Sequence, residues 1–248
     1  MNMARLAVAD GIETLVVTPH HLNGIYENGA DSIRAACAGL RRELMVRGIG
    51  LGILPGAECH LVYELPEAIN AGTAMTVAGR GRAALVELPV HHVPHGATDI
   101  LEDILGLGVQ PIIAHPERNA QLGRDPGLLR EWVEGGCLAQ VTAQSCTGRF
   151  GAKAQAAART MVREGLIHFL ASDAHRDHRR VPELSKGRAA VSAWTSAEVG
   201  RLLTETFPKA LVRGDAVQSE RLDEALAAPR AGRWPWQRRR SGPTMASE

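Results

Sequence analysis

Residues 109–118 read VQPIIAHPER, and this stretch decides the fold. The apolar run PIIA at 111–114 is too short for a core helix and shows no polar alternation, so it reads as a strand buried on both faces. It then stops at His115-Pro116-Glu117-Arg118. Five further runs of the same kind occupy 13–18, 50–54, 83–88, 137–142 and 167–171. Longer stretches of helical pattern separate them, at 1–10, 30–47, 98–107, 127–134, 152–164 and 182–205. Gly48, Gly108 and Gly165 each come after a helical stretch and precede a strand by a few residues. Repeated strand–helix alternation predicts an α/β domain with a parallel sheet.

The residues at the strand ends carry the chemical information. The first run leads to Thr18-Pro19-His20-His21, the second to Gly56-Ala57-Glu58, and the third contains Glu87 in LVELP. The fourth gives His115 and Arg118, the fifth ends at Gln140-Val141-Thr142, and the sixth gives Ser172-Asp173-Ala174-His175. Active sites of parallel α/β barrels sit at that C-terminal face. Taken singly, each residue has a plainer reading: a histidine near a strand end is usually a structural hydrogen-bonder, and a glutamate such as Glu58 a solvated loop residue. Glu87, His115 and Asp173 resist that reading, because apolar neighbours would bury them at a cost unless they are partnered. Imidazole and carboxylate without thiolate suit manganese, zinc or iron. Ligands in this number could hold two or three ions, which together generate hydroxide at neutral pH and clamp an in-line displacement. Arg118 and Arg180 lie just beyond two of the ligand-bearing strand ends, and a guanidinium fork matches phosphate geometry. A metal-dependent phosphoester hydrolase is the expectation.

Bulk properties narrow the alternatives. The chain has 248 residues, 45% hydrophobic and 22% charged, enough for one barrel-sized domain with a sizeable core. A net charge of +1 disfavours a general role on nucleic acid or membrane, and 4% aromatic residues disfavours a base-stacking platform. Cys37, Cys59, Cys137 and Cys146 show no C-x-x-C spacing and read as reduced thiols of a cytoplasmic protein. No cysteine is followed by arginine at the C-x5-R spacing, so cysteine-based phosphatase chemistry is disfavoured. The N-terminal segment, interrupted by Arg5, Asp10 and Glu13, does not read as a signal peptide, and no window approaches a membrane span. His91, His92 and His95 read as a surface loop before they read as site residues. His60, His168 and His178 carry no comparable argument. The phosphatase domain is expected over 1–228. The remainder, 229–248, contains RWPWQRRR and reads as a disordered basic tail, with anchoring to an anionic partner as the sharper alternative.

Jointly, ADGIETLVVTPHHLNGIYEN, ILPGAE, LVELP, PIIAHPER, AQVTAQSCTGRFG and HFLASDAH resemble the PHP (polymerase and histidinol phosphatase) superfamily, over about 3–215. Within it they look most like the bacterial protein-tyrosine phosphatases of capsule and exopolysaccharide synthesis. The resemblance implies a distorted TIM-like barrel holding up to three metal ions, commonly manganese. Its ligands here would be His20, Glu58, Glu87, His115, Asp173 and His175, with Arg118 and Arg180 as the phosphate-binding arginines. The implied substrate is phosphotyrosine on a tyrosine kinase of the polysaccharide machinery. One departure stands out. Family members open with a strand carrying H-x-H, and no H-x-H occurs in this sequence. The chain starts within what resembles the first helix, so one barrel edge is expected to be open. A misassigned start codon and a truncated paralogue both account for this, and the otherwise complete ligand set favours the first. Two rival functions stand beside the phosphatase: a non-catalytic phosphotyrosine- or kinase-binding paralogue, and a phosphatase for a small metabolite such as histidinol phosphate.

Overall fold

A computed structural model describes residues 1–228. The basic tail expected over 229–248 lies outside the described residues. The elements, in chain order, are α1 (Asn2–Ala9), β1 (Thr14–Val17), β2 (His20–His21), α2 (Ala30–Val46), β3 (Gly52–Pro55), β4 (Glu58–His60) and α3 (Leu65–Asn70). They continue with β5 (Ala83–Glu87), α4 (Ala97–Gly106), β6 (Gln110–Ala114), α5 (Gly127–Glu134), β7 (Leu138–Thr142), α6 (Ala143–Cys146), α7 (Ala152–Arg163) and β8 (Phe169–Ala171). The chain then turns helical, through α8 (Ser185–Trp194), α9 (Ala197–Arg201), α10 (Phe207–Arg213) and α11 (Glu220–Ala227).

Every strand pair is parallel, and the order β2-β4-β5-β6-β7-β8 runs with the chain, with β1-β3 as a separate short sheet. The two sheets share one register. Val17 pairs with Pro55 and His20 with Glu58 at the same residue offset, and the Glu58 N–H donates to the Pro19 carbonyl between them. β1–β2 and β3–β4 are therefore two staves, each interrupted once. Pro19 has no N–H to continue the ladder. Gly56 sits where a Cβ would lie 2.9 Å from Val16 Cγ1 and 3.3 Å from the Val17 carbonyl oxygen, a crossing that only glycine fits. So there are six staves, and they coincide with the six predicted apolar runs. Among the described residues the barrel does not close through hydrogen bonds: β1–β2 and β8 are its two unpaired edges, as the expectation of an open edge required.

The strand residues are buried because helices cover them. Val86, Ile113, Ala139 and Val141 are fully enclosed, and Ile104, Leu129 and Ala158 from α4, α5 and α7 pack with them in the same core. Glu58, which its plainer reading would leave solvated, is the first residue of β4 and 5% exposed. One expectation needs correction. The predicted continuous helix over 182–205 is broken at Thr195-Ser196, where the Ser196 hydroxyl accepts the Val199 N–H and starts a new helix. A serine cap competes with continuation because it satisfies an orphan N–H that a running helix would have used itself.

His168 enters β8 fully buried, its Nδ1 accepting the Ala139 N–H from β7 at 3.3 Å. Burial lowers its pKa from the usual 6.5 to about 4. As pH falls below 6.5 the unfolded chain takes up this proton before the folded one, so stability present above pH 6.5 is lost progressively down to about pH 4. At about 1.4 kcal/mol per unit, the loss is roughly 3 kcal/mol. His168→Asn keeps an acceptor for Ala139 but does not titrate. Urea unfolding at pH 7, 5.5 and 4 is expected to show a smaller acid loss in that variant, by about this amount; parallel curves would refute the assignment.

Candidate metal and phosphate site

The staves end on one face, and there four of the predicted ligands converge. Glu58 Oε1 lies 3.0 Å from His115 Nε2, and Glu87 Oε1 lies 3.4 Å from the same nitrogen. His20 Nδ1 lies 3.2 Å from Glu87 Oε2 and 3.6 Å from Glu58 Oε2. Donor atoms of Glu58, Glu87 and His115 all fall within 4.8 Å of one another, the spacing of ligands around one cation. The register explains the meeting: His20 pairs Glu58 across β2–β4, and Glu87 ends the adjacent β5.

The carboxylates of the cluster favour positive charge between them. Burial opposes charge on His115, but Glu58 and Glu87 outweigh it and raise the imidazole to about 9. Glu87 raises His20 in the same way, against a smaller opposing effect of burial. Burial works to raise Glu87 as well, yet the two histidines hold its carboxyl below the usual carboxylate range. The residues fit a metal on two grounds. Oxygen and imidazole donors without thiolate suit a borderline divalent ion. In addition, the His20 Nδ1 atom is buried with no hydrogen-bond partner, 3.2 Å from Glu87 Oε2.

Asp173 and His175 form a second group beside the first. The His175 ring centroid is 6.2 Å from that of His20. His175 Nδ1 lies 3.0 Å from the Asp173 carbonyl oxygen, which can only accept, so Nδ1 carries the proton and the Nε2 lone pair stays free for a ligand. The side chain of Asp173 is turned toward the arginines. Arg118 Nη1 donates to Asp173 Oδ2 at 2.6 Å, and Arg180 Nη2 donates to the same oxygen. One carboxylate holds two guanidiniums, leaving the group with a net positive charge for an anion. All eight predicted site residues therefore lie in two adjoining groups, four in the cluster and four around Asp173.

The backbone is bent to achieve this. His115, Asp173 and Arg180 have φ of 34°, 47° and 53°, a left-handed conformation that costs non-glycine residues about 1–3 kcal/mol each. Local hydrogen bonds offset the strain. The His115 N–H donates to the Gln140 carbonyl, and the His175 N–H to the Arg180 carbonyl.

Sequence reasoning missed the residues that brace the site. Glu117 is 3% exposed and straps the turn after β6 to the next stave: its Oε1 accepts the Thr142 N–H at 3.1 Å and the Ser145 hydroxyl at 2.6 Å. Asn119 donates to the Pro89 and His92 carbonyls and accepts two N–H groups of its own turn, pinning the loop after β5. Phe150 lies under both arginines, with its ring centroid 4.7 Å from Arg118 Cζ and 5.8 Å from Arg180 Cζ. Tyr26 stacks against His20 at the mouth, with 6.2 Å between ring centroids. A phenylalanine between glycines in a polar loop was the available signal for Phe150. Glu117 and Asn119 gave none, because their role depends on partners distant in sequence. His91, His92 and His95 are exposed, in line with a surface loop. The four cysteines are free and buried, and burial pushes the Cys59 and Cys137 thiols up to about 12. No helix among the described residues is long and apolar enough to cross a membrane.

Comparison with known proteins places this geometry. The profile of a family described as "Capsular polysaccharide synthesis, CpsB/CapC" matches residues 1–213. Tyrosine-protein phosphatase YwqE of Bacillus subtilis is 36% identical over 205 residues, covering 83% of this chain and 80% of that protein. Tyrosine-protein phosphatase CpsB of Streptococcus pneumoniae is 26% identical over 207 residues, covering 82% and 85%. Among solved structures, a chain from the crystal structures of YwqE and CpsB, described as unique metal-dependent tyrosine phosphatases, superposes with a TM-score of 0.82 at 34% identity, covering 87% of this chain and 86% of that one.

Proposed function

The chain belongs to the CpsB/CapC family of capsular polysaccharide synthesis, with a PHP-type fold, and from that premise we propose that it is a metal-dependent protein-tyrosine phosphatase. The observation that carries the reading is the meeting of Glu58, Glu87 and His115 beside a pair of arginines that share one carboxylate. The ligand set is His20, Glu58, Glu87, His115, Asp173 and His175, and manganese is the ion we expect. When bound, the metal would activate a water for attack on phosphorus and draw charge from the phosphoryl oxygens.

The chain's own residues do the rest. Arg118 and Arg180 exchange Asp173 for phosphoryl oxygens and hold the group in line with two planar forks. Tyr26, half-exposed over His20, offers its ring to the substrate's phenyl group. His20 and His175 are both held as ligands, so the departing phenolate takes its proton from solvent. Cys59 and Cys146 take no part as nucleophiles, because burial keeps both as thiols. The protein partner is a tyrosine kinase of the polysaccharide machinery, and four free thiols fit a reducing cytoplasm. The catalytic domain occupies 1–228.

The test is turnover. With manganese, the chain is expected to release inorganic phosphate from a phosphotyrosine peptide, and EDTA is expected to abolish release. Chelator-resistant turnover, or a trapped cysteinyl-phosphate, would sink the mechanism. Peptide binding without hydrolysis in excess manganese would mark a binding paralogue. Faster turnover of histidinol phosphate would mark a metabolite phosphatase.

A further inference from the structure

Arg118 and Arg180 reach the site from different stave ends, after β6 and after β8. Two like charges on long, flexible side chains do not stay together unaided. Asp173 supplies one common anchor, but each bond to its carboxylate occupies an N–H that a phosphoryl group would need. Phe150 supplies a second anchor that occupies none. Its ring centroid is 4.7 Å from Arg118 Cζ and 5.8 Å from Arg180 Cζ, both inside the range of roughly 6 Å over which an aromatic face attracts a guanidinium. The ring stands in a loop built to present it. Gly148 and Gly151 flank it with φ of 81° and 91°, and the Arg149 N–H donates to the Gln144 carbonyl. Gln155 Nε2 ties the loop to the Cys146 carbonyl at 3.0 Å. Among the described residues, Phe150 alone sets an aromatic ring against both arginines.

We propose that Phe150 is the positioning residue of the phosphate subsite: its ring holds both guanidiniums in place while leaving their N–H groups free for phosphoryl oxygens. The proposal rests on the reading of Arg118 and Arg180 as the phosphate-binding pair. It makes phosphate affinity depend on the electron density of one ring that touches no substrate atom.

The experiment replaces Phe150 with a series of ring-fluorinated phenylalanines of nearly unchanged shape, together with Phe150→Tyr and Phe150→Leu, in the full manganese-loaded chain. Inorganic phosphate affinity is measured by calorimetry, and kcat and KM with a phosphotyrosine peptide. Affinity is expected to fall stepwise with each added fluorine, to stay within about twofold in Phe150→Tyr, and to drop about tenfold in Phe150→Leu. If Phe150→Leu unfolds, the fluorinated series decides alone. A flat series, or no phosphate binding by the unsubstituted chain, overturns the proposal. A graded series in a chain that hydrolyses no phosphotyrosine would overturn the functional reading and leave the role of Phe150 standing.

Discussion

Replacing Glu58 by glutamine is expected to lower kcat/KM for a phosphotyrosine peptide by about 10²–10⁴-fold and to strip the bound metal, with the fold intact. The change is nearly isosteric, so it opens no cavity in β4. What it removes is a buried negative charge whose two oxygens face His115 Nε2 at 3.0 Å and His20 Nδ1 at 3.6 Å. Without this ligand charge the site loses the ion, and with it about 3–5 kcal/mol of the charge stabilisation a metal would supply in the transition state. At 1.36 kcal/mol per decade, that gives the stated range. Elemental analysis of the purified variant separates the causes. Low metal content with an unchanged melting temperature supports the ligand role. Full metal content with full activity would remove Glu58 from the site.

Arg118→Ala is expected to lower kcat/KM by about 10²–10³-fold without loss of metal. Removing one donor aimed at developing charge has about that effect in other enzymes. The metal stays because Arg118 touches only Asp173 Oδ2 and the Phe150 ring, and Arg180 still holds Asp173. Arg118→Lys is expected to recover part of the loss, because an ammonium restores the charge but not the planar fork. Metal loss in Arg118→Ala comparable to that of Glu58→Gln would show instead that Arg118 braces the ligands. The two variants together separate the two groups of the site: one should fail in metal content and the other in phosphate affinity.

The candidate ligands were legible because a parallel sheet leaves a simple signature. A strand buried on both faces has no apolar alternation, so a charged residue at its end stands out, as Glu87 does after AALV and His115 after PIIA. Glu58 was harder to place. It comes after Gly56-Ala57, which reads as a loop, and it becomes a strand residue only because β3–β4 resumes its ladder beyond the glycine. The break of the last long helix at Ser196 was missed because an apolar periodicity can run across a cap. Local sequence shows which residues would face the core; it does not show which N–H the serine hydroxyl will take.

By itself, the sequence determined the α/β class, the six staves and the six candidate ligands with their two arginines, since all of these depend on residue type at a fixed place relative to a strand end. Only the tertiary structure decided how they group. Glu58, Glu87 and His115 share one cation-sized space, whereas Asp173 turns to the arginines. It also decided that Glu117 braces the turn after β6 and that Phe150 lies beneath both guanidiniums. The physical reason is range. Strand and helix patterning is local, set by a few neighbouring residues, whereas distances of 3–5 Å between side chains from different staves depend on register and on left-handed turns at His115, Asp173 and Arg180. Those conformations run against local preference, and packing from the whole barrel holds them.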